Sequence, residues 1–320
     1  MKKLIKLTDS LSYCGVPSGE ITIIQDEGMY PFNKDREANW TYYTLKGLPF
    51  LRKNLGRIPT NIACVAAGNG VEAIGMGIFF SEVENLVLTD IDNEVAAGGV
   101  ANVLFNLPEL MGKVTGRVGS LCDPLIQTGL EYDLIFGNVP NLICDEEKDL
   151  SNGNDKGTFM KENTLSSSIP EKFTQWGLAT QYEFLTGAYK ALSKGGSVVS
   201  LIGGRVPGSA IGDLFKNCGL KLQLDLPMGF KWQTQPEIDF KGYAELEKKH
   251  GVLFAFYEYD KAKEILEAAG ISNPTTSMSS MQMKEILEGV EYTATDALKL
   301  YREKRTKFGH IVHMCRGVKE

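Results

Sequence analysis

The stretch Asn61-Ile62-Ala63-Cys64-Val65-Ala66-Ala67-Gly68-Asn69-Gly70-Val71-Glu72-Ala73 joins a short apolar run to a glycine-bearing turn and then to a helical pattern that continues through Phe80. Ile62 to Val65, bounded by turn residues, reads as a strand buried on both faces. Glycines in the turn let the backbone come close to a ligand, and the helix after it starts with free N–H groups. In an open α/β sheet this place, beyond the carboxyl end of a strand, is where ligands bind.

The same alternation extends downstream. Leu86-Val87-Leu88 is a second strand ending at Thr89-Asp90, and a helix follows from Asn93 to Leu104. Val114 to Val118 and Tyr132 to Phe136 are the third and fourth strands, Thr174 to Leu192 a long helix, and Ser197 to Ile202 the fifth strand. Strands separated by helical patterns predict a Rossmann-like, doubly wound α/β fold with a mostly parallel sheet. After a helix at Gly208 to Cys218, the runs Leu220 to Leu226 and Val252 to Tyr257 are expected as last strands of that sheet, flanking an insert at 227–250. The organisation expected is an N-terminal extension or lid over 1–60, a core over 61–260, and a C-terminal extension over 261–320. The first holds a strand at Ile21–Ile24 and a helix from Trp40 to Asn54. The last holds helices at Lys263–Ala269, Met281–Leu287 and Ala294–Lys304, then a strand near Gly309–Met314. Asp145 to Ser168, rich in Gly, Asn, Ser and charge, reads as an exposed loop, and long loops beside a site often serve as lids.

Composition narrows the function classes. Of 320 residues, 43% are hydrophobic and 23% charged, enough apolar side chain for a sizeable core. A formal charge of -6 disfavours a nucleic-acid partner, because neutralising phosphates needs clustered Lys and Arg. The six cysteines are scattered without a CxxC pair, which suits free thiols in a reducing compartment and no metal site. His310 and His313 stand three apart, which in a strand sends them to opposite faces. The apolar run at the start is broken by Lys6 and Asp9 before it reaches signal-peptide length, and no run approaches the roughly 20 residues of a membrane span. The expectation is a soluble, cytoplasmic protein with a small-molecule substrate, in which the insert and the tail build either the substrate pocket or a homodimer contact.

Asp90 ends the second strand, 22 residues beyond Gly68, where a carboxylate accepts both hydroxyls of a ribose; such a residue also serves as a helix cap or turn former. Gly68-Asn69-Gly70-Val71-Glu72-Ala73 is a partial match to the dinucleotide pattern GxGxxG with Ala in third place. On these residues NAD and S-adenosylmethionine both remain open.

Two later runs add to them: Gly119-Ser120-Leu121-Cys122-Asp123-Pro124-Leu125 after the third strand, and Tyr132-Asp133-Leu134-Ile135-Phe136-Gly137-Asn138-Val139-Pro140-Asn141 through the fourth. With the glycine loop and the acidic strand end, this ordered series resembles the class I S-adenosylmethionine-dependent methyltransferases. More narrowly it resembles the branch with an Asn-Pro-Pro-Tyr motif after the fourth strand, which contains amino-group, amide and nucleobase N-methyltransferases. The resemblance covers about residues 61–204, with Lys194-Gly195-Gly196-Ser197 matching the turn into the fifth strand. It implies S-adenosylmethionine as cofactor, held by Ala66, Gly68, Gly70, Asp90, Ile91, Ser120, Leu121 and Asn138. It implies catalytic roles for Asn138 and Asn141 in methyl transfer to nitrogen of a small molecule or a protein side chain. The chain departs from the family pattern at several places. Cys64 replaces the acidic residue of the first strand, Ala66 the first glycine, and Ser120 an Asp. Val139 takes the place of a Pro, and Asn141 that of an aromatic.

In such a site the Asn138 amide oxygen and the Val139 carbonyl accept hydrogen bonds from the acceptor nitrogen, while Asn138 equally suits a turn former. Tyr30, Trp40, Tyr42 and Tyr43 of the N-terminal segment, with Trp176 and Trp232, are candidates to enclose the acceptor, although each aromatic taken singly also suits a core. Displacement at a sulfonium requires no metal and no covalent intermediate. The residues also fit three alternatives: O- or C-methylation, a nicotinamide-dependent oxidoreductase, and a cofactor-binding protein without catalysis.

Overall fold

The computed structural model describes residues 2–166 and 168–320. The N-terminal segment forms β1 (Lys3–Lys6), α1 (Thr8–Tyr13), β2 (Thr22–Gln25) and α2 (Trp40–Asn54). Alternation begins with β3 (Asn61–Val65), α3 (Val71–Phe79), β4 (Asn85–Asp90), α4 (Asn93–Asn106), β5 (Val114–Val118), α5 (Asp123–Thr128) and β6 (Tyr132–Gly137). Then come β7 (Leu142–Cys144), α6 (Gly153–Thr158), β8 (Phe159–Lys161), α7 (Glu171–Thr174), α8 (Ala179–Ala191) and β9 (Leu192–Gly203). The remainder is α9 (Gly208–Asn217), β10 (Lys221–Gln223), β11 (Met228–Trp232), α10 (Pro236–His250), β12 (Phe256–Glu258), α11 (Tyr259–Ala268), α12 (Ser280–Ile286), β13 (Glu291–Tyr292), α13 (Ala294–Lys304) and β14 (Phe308–Val318).

The main sheet runs β5-β4-β3-β6-β9-β14-β12-β13. Its first five strands are parallel, whereas β14 lies antiparallel to β9. The chain builds outward from β3 to β5 and then returns to lay β6 on the other side of β3. The strand order therefore reverses between β3 and β6, which is the switch point of a Rossmann-like, doubly wound sheet.

Period-two alternation assigns the strand side chains to two layers. Ile62, Cys64, Leu86, Leu88, Leu134 and Phe136 pack with α2, α3 and α4. Ala63, Val65, Val87 and Ile135 face the opposite layer, where Phe184 and Leu185 of α8, Phe215 of α9 and Phe240 of α10 are fully or almost fully buried. The N-terminal hairpin is tied to the first layer by polar groups. Asn102 and Asn106, one turn apart on α4, each accept from and donate to the backbone of β2, at Ile24 and Thr22 respectively.

Several expectations change here. The 174–192 helix begins only at Ala179, with the short α7 ahead of it. Of the Leu220–Leu226 and Val252–Tyr257 runs, only Lys221–Gln223 and Phe256–Glu258 become strand. The insert at 227–250 supplies β11 and α10, and the strand expected at the end of the tail is longer and central. One side of β14 pairs with β9 and β12, and the other with β11 and β10. A tail strand inside the sheet requires pairing across more than a hundred residues, which local pattern does not report. The expected loop 145–168 contains α6 and β8, and β8 pairs with β7 in a separate two-stranded sheet; Ser167 of that loop lies outside the described residues.

Close approach of β14 to β11 depends on Gly309, where an added Cβ would lie 2.6 Å from the Lys231 carbonyl oxygen. Gly309→Ala is expected to lower the unfolding free energy by about 1–3 kcal/mol. An unchanged urea midpoint would show that the two strands part without cost.

Candidate functional site

A cavity of about 380 Å³ opens at the switch point, within the size range of small-molecule sites. Its floor is the ends of three strands and the turns after them: Ala66, Gly68 and Asn69 beyond β3, Asp90 and Ile91 beyond β4, and Asn138, Val139 and Asn141 beyond β6. Gly119, Ser120 and Leu121, following β5, complete it.

The turn after β3 is held tightly. Ala66 has φ 52° and Gly68 φ 54°. A Cβ at Gly68 would meet no atom within 4 Å, so its backbone faces open space that a ligand can fill. Leu121 adopts φ 45°. Left-handed backbone costs a non-glycine residue about 1–2 kcal/mol, and Ala66 and Leu121, two of the three such residues among those described, line this cavity. Such strain concentrates where a site needs a particular backbone path. Gly70, expected to touch a ligand, instead packs behind the wall: its added Cβ would lie 2.8 Å from the Gly99 carbonyl of α4.

Asp90 accepts from the Gly68 and Asp92 backbone N–H groups at 3.2 and 3.3 Å. The cap of α4 is Asp92, whose side chain accepts from Glu94 and Val95, so Asp90 is not spent on capping. Burial raises the Asp90 carboxyl above its ordinary range, opposed by hydrogen bonds from Asp92 and Gly68. Asn138 and Asn141 both face the cavity, and among the described residues no hydrogen bond within the protein engages either amide. A turn-forming Asn binds nearby backbone; Asn138 does not, and its amide stays available.

Glu72 was not foreseen as a site residue. It sits in the first turn of α3, lines the cavity and accepts from the Thr41 hydroxyl at 2.6 Å. Burial raises its carboxyl. In sequence it reads only as a helix-start acid. Asn69, quoted in the loop but given no role of its own, donates its amide to the Tyr30 carbonyl and to Gln25 at 3.3 Å, binding the turn to the N-terminal segment.

The roof comes from that segment and from 142–164. Tyr30 and Trp40 line the cavity as expected of closing aromatics. Tyr42 and Tyr43 do not: they donate to the Ser10 hydroxyl and the Phe230 carbonyl, at 2.8 and 2.7 Å. Trp176 packs edge-on to Phe254, and Trp232 donates its indole N–H to Asp35 at 2.9 Å. The expectation that Tyr43, Trp176 and Trp232 bind substrate is corrected, because core packing and a surface hydrogen bond take them up.

From the other side Lys156 of α6 pairs with Asp92 across the cavity rim, and this bond holds the Asp92 carboxyl below its usual range. The Gly153 N–H donates to the Glu27 carbonyl at 2.9 Å. A Cβ on Gly153 would sit 1.9 Å from the Met29 carbonyl oxygen, and one on Gly157 2.2 Å from the Tyr30 ring. Segment 142–164 is thus seated on residues 27–30 by glycine contacts.

No family model matches the sequence, and no curated protein matches it. Solved structures do resemble the fold. A candidate RNA methyltransferase from Pyrococcus horikoshii is 15% identical over 71% of this chain and 88% of that one, with a TM-score of 0.40. The ribosomal protein L11 methylase of Lactobacillus delbrueckii subsp. bulgaricus is 16% identical, covering 63% and 77% with a TM-score of 0.37. The Thermus thermophilus 16S rRNA N2 G1207 methyltransferase, solved with AdoMet and guanosine, is 13% identical, covering 70% and 47% with a TM-score of 0.41. At these identities the likeness is one of fold alone.

Gly153→Ala meets backbone rather than a yielding side chain, so it is expected to unseat 142–164; proteolysis within that segment should accelerate severalfold while the global unfolding midpoint stays put. Glu72→Gln is expected to stabilise the fold at neutral pH. A carboxyl raised in the folded state costs stability once pH passes its folded value, and costs none below the unfolded value near 4.5. The advantage of the Gln variant should therefore vanish as pH falls below about 4, and a difference independent of pH would mean that burial of charge is not its source.

Proposed function

We propose that this chain is an S-adenosylmethionine-dependent methyltransferase that methylates nitrogen of a small molecule or a protein side chain. The observation that carries the reading is the convergence on one cavity of the open Gly68 backbone, the Asp90 carboxylate and the unengaged Asn138 amide. Gly68 leaves room for a nucleoside, Asp90 offers its oxygens to the ribose hydroxyls, and Ile91, 54% exposed at the mouth, gives an apolar surface beside Ser120 and Leu121 for a base.

Charge favours this cofactor over NAD. A dinucleotide places its pyrophosphate at the N-terminus of the helix after the glycine turn. Here that turn carries Glu72, facing the cavity, and of the two basic residues that line it, Lys156 is paired with Asp92 and Lys161 donates to the Glu146 carbonyl. Two carboxyls with no cationic partner among the described residues suit a ligand bearing an ammonium and a sulfonium.

When bound, S-adenosylmethionine supplies a methyl group on a positively charged sulfur that departs as a neutral thioether. The protein's task is to position the acceptor and exclude water. The Asn138 amide oxygen and the Val139 carbonyl accept hydrogen bonds from the acceptor nitrogen and so aim its lone pair. Asn141 adds a polar contact where an aromatic would have offered a π-face, which favours a polar acceptor. Tyr30, Trp40 and the seated 142–164 segment close the roof.

Calorimetry with S-adenosylhomocysteine and NAD tests the reading. Micromolar binding of the former and none of the latter is expected, with Asp90→Ala weakening the former at least tenfold, since a hydrogen bond to a charged group contributes about 1.5–3 kcal/mol. Binding of NAD alone would sink it.

A further inference from the structure

Behind the roof lies a cluster of buried polar groups that none of the above uses. Lys231 of β11 and His310 of β14 are directly opposed across the strand pair, and Arg205 follows β9. Their exposures are 1%, 0% and 4%. Lys231 Nζ donates to the Trp232 carbonyl at 3.0 Å and lies 5.1 Å from the centre of the Trp40 ring. The His310 ring is 5.5 Å from the same Trp40 ring, and among the described residues neither of its nitrogens has a hydrogen-bond partner. Arg205 reaches Gln233 Oε1 at 3.5 Å and covers the face of Tyr243 at 4.5 Å.

The charges do not balance. Asp239 of α10 acts on both Arg205 and Lys231 through space, but its carboxylate is hydrogen-bonded by Gln233. Among the described residues neither cation is in ion-pair contact. His310 is held neutral by burial and by the two cations. The two buried cations thus have Asp239 in common as a counter-charge, with Asp35 adding to it at Lys231, and burial still disfavours the Lys231 ammonium. A buried charge without a partner is costly unless a counter-charge arrives. Trp40, packed beside both Lys231 and His310, also lines the cavity, so the cluster stands directly behind a cavity wall. Tyr30 does so as well, with Asp239, Thr234 and Gln235 around its hydroxyl.

We propose that Arg205, Lys231 and His310 form the subsite that receives an oxyanion, a carboxylate or a phosphate ester, of the molecule to be methylated, Trp40 being displaced from between the cavity and the cluster as the anion enters. This rests on reading the cavity as a methyltransferase site. Glu72 and Asp90 then serve the cationic cofactor at one end, while the basic cluster serves an anionic acceptor at the other. His310, neutral, donates from one ring nitrogen to the oxyanion.

The test is calorimetry of the full chain with benzoate, phenyl phosphate and the neutral benzamide, with and without saturating S-adenosylhomocysteine. At least one anion is expected to bind tenfold or more tightly than benzamide, and the stronger of the two identifies the oxyanion. Lys231→Met should abolish that preference. Asp239→Asn, which removes the internal counter-charge, should tighten anion binding, a change of sign that a merely structural role for the cluster would not give. Equal binding of anions and benzamide, or anion binding unaffected by both variants, overturns the proposal. Anion binding with the expected variant response but no S-adenosylhomocysteine binding would support the subsite while removing the methyltransferase reading; the reverse pattern would remove the subsite alone.

Discussion

The reversal of strand order between β3 and β6 constrains everything else in the molecule. Because the chain leaves β3 toward one face and β6 toward the other, the turns at their carboxyl ends diverge and cannot pack on each other. That gap is the cavity. The backbone lining it is correspondingly strained, with Ala66 and Leu121 in left-handed conformations, and it is held in place by hydrogen bonds between turns, such as Gly119 N–H to the Asp90 carbonyl at 3.0 Å and the Thr89 hydroxyl to the Leu121 carbonyl at 3.2 Å.

A sheet edge of this kind makes a floor but no roof. The N-terminal segment supplies one because its hairpin is fastened to α4 through Asn102 and Asn106, which places Tyr30 and Trp40 over the turn at Asn69. The 142–164 segment then seats on residues 27–30, and the Lys156–Asp92 pair joins it to the start of α4. The roof is thus assembled from two pieces distant in sequence, and each depends on the other for its position.

The long β14 has an equally organising part on the far side. By pairing with β9 on one edge and with β11 on the other, it carries the last third of the chain into the sheet and brings Lys231 opposite His310. Glu72 and Asp90 belong to the parallel half of the sheet and its helices, whereas the basic cluster sits at the junction of the two halves, with Arg205 just beyond β9 and Lys231 and His310 on β11 and β14.

Much of the floor was legible in the sequence. The strands Ile62–Val65, Leu86–Asp90 and Tyr132–Phe136, the helix Trp40–Asn54 and the position of Asp90 follow from period, turn chemistry and spacing, which are local properties, while Asn138 was singled out by the family resemblance. Residue type also identified Tyr30 and Trp40 as closing aromatics, but it did so equally for Tyr43, Trp176 and Trp232, since aromaticity says nothing about which way a ring points. Glu72, Gly70 and the Arg205–Lys231–His310 cluster were decided by tertiary structure alone. Whether Glu72 faces ligand or solvent depends on Thr41, 31 residues away, and Lys231 meets His310 only because a tail strand enters the sheet. The sequence by itself determined where the chain turns and which ends carry carboxylates and amides; only packing across long separations decided which side chains share an enclosed space, because burial and opposing charge are properties of neighbours that local pattern does not contain.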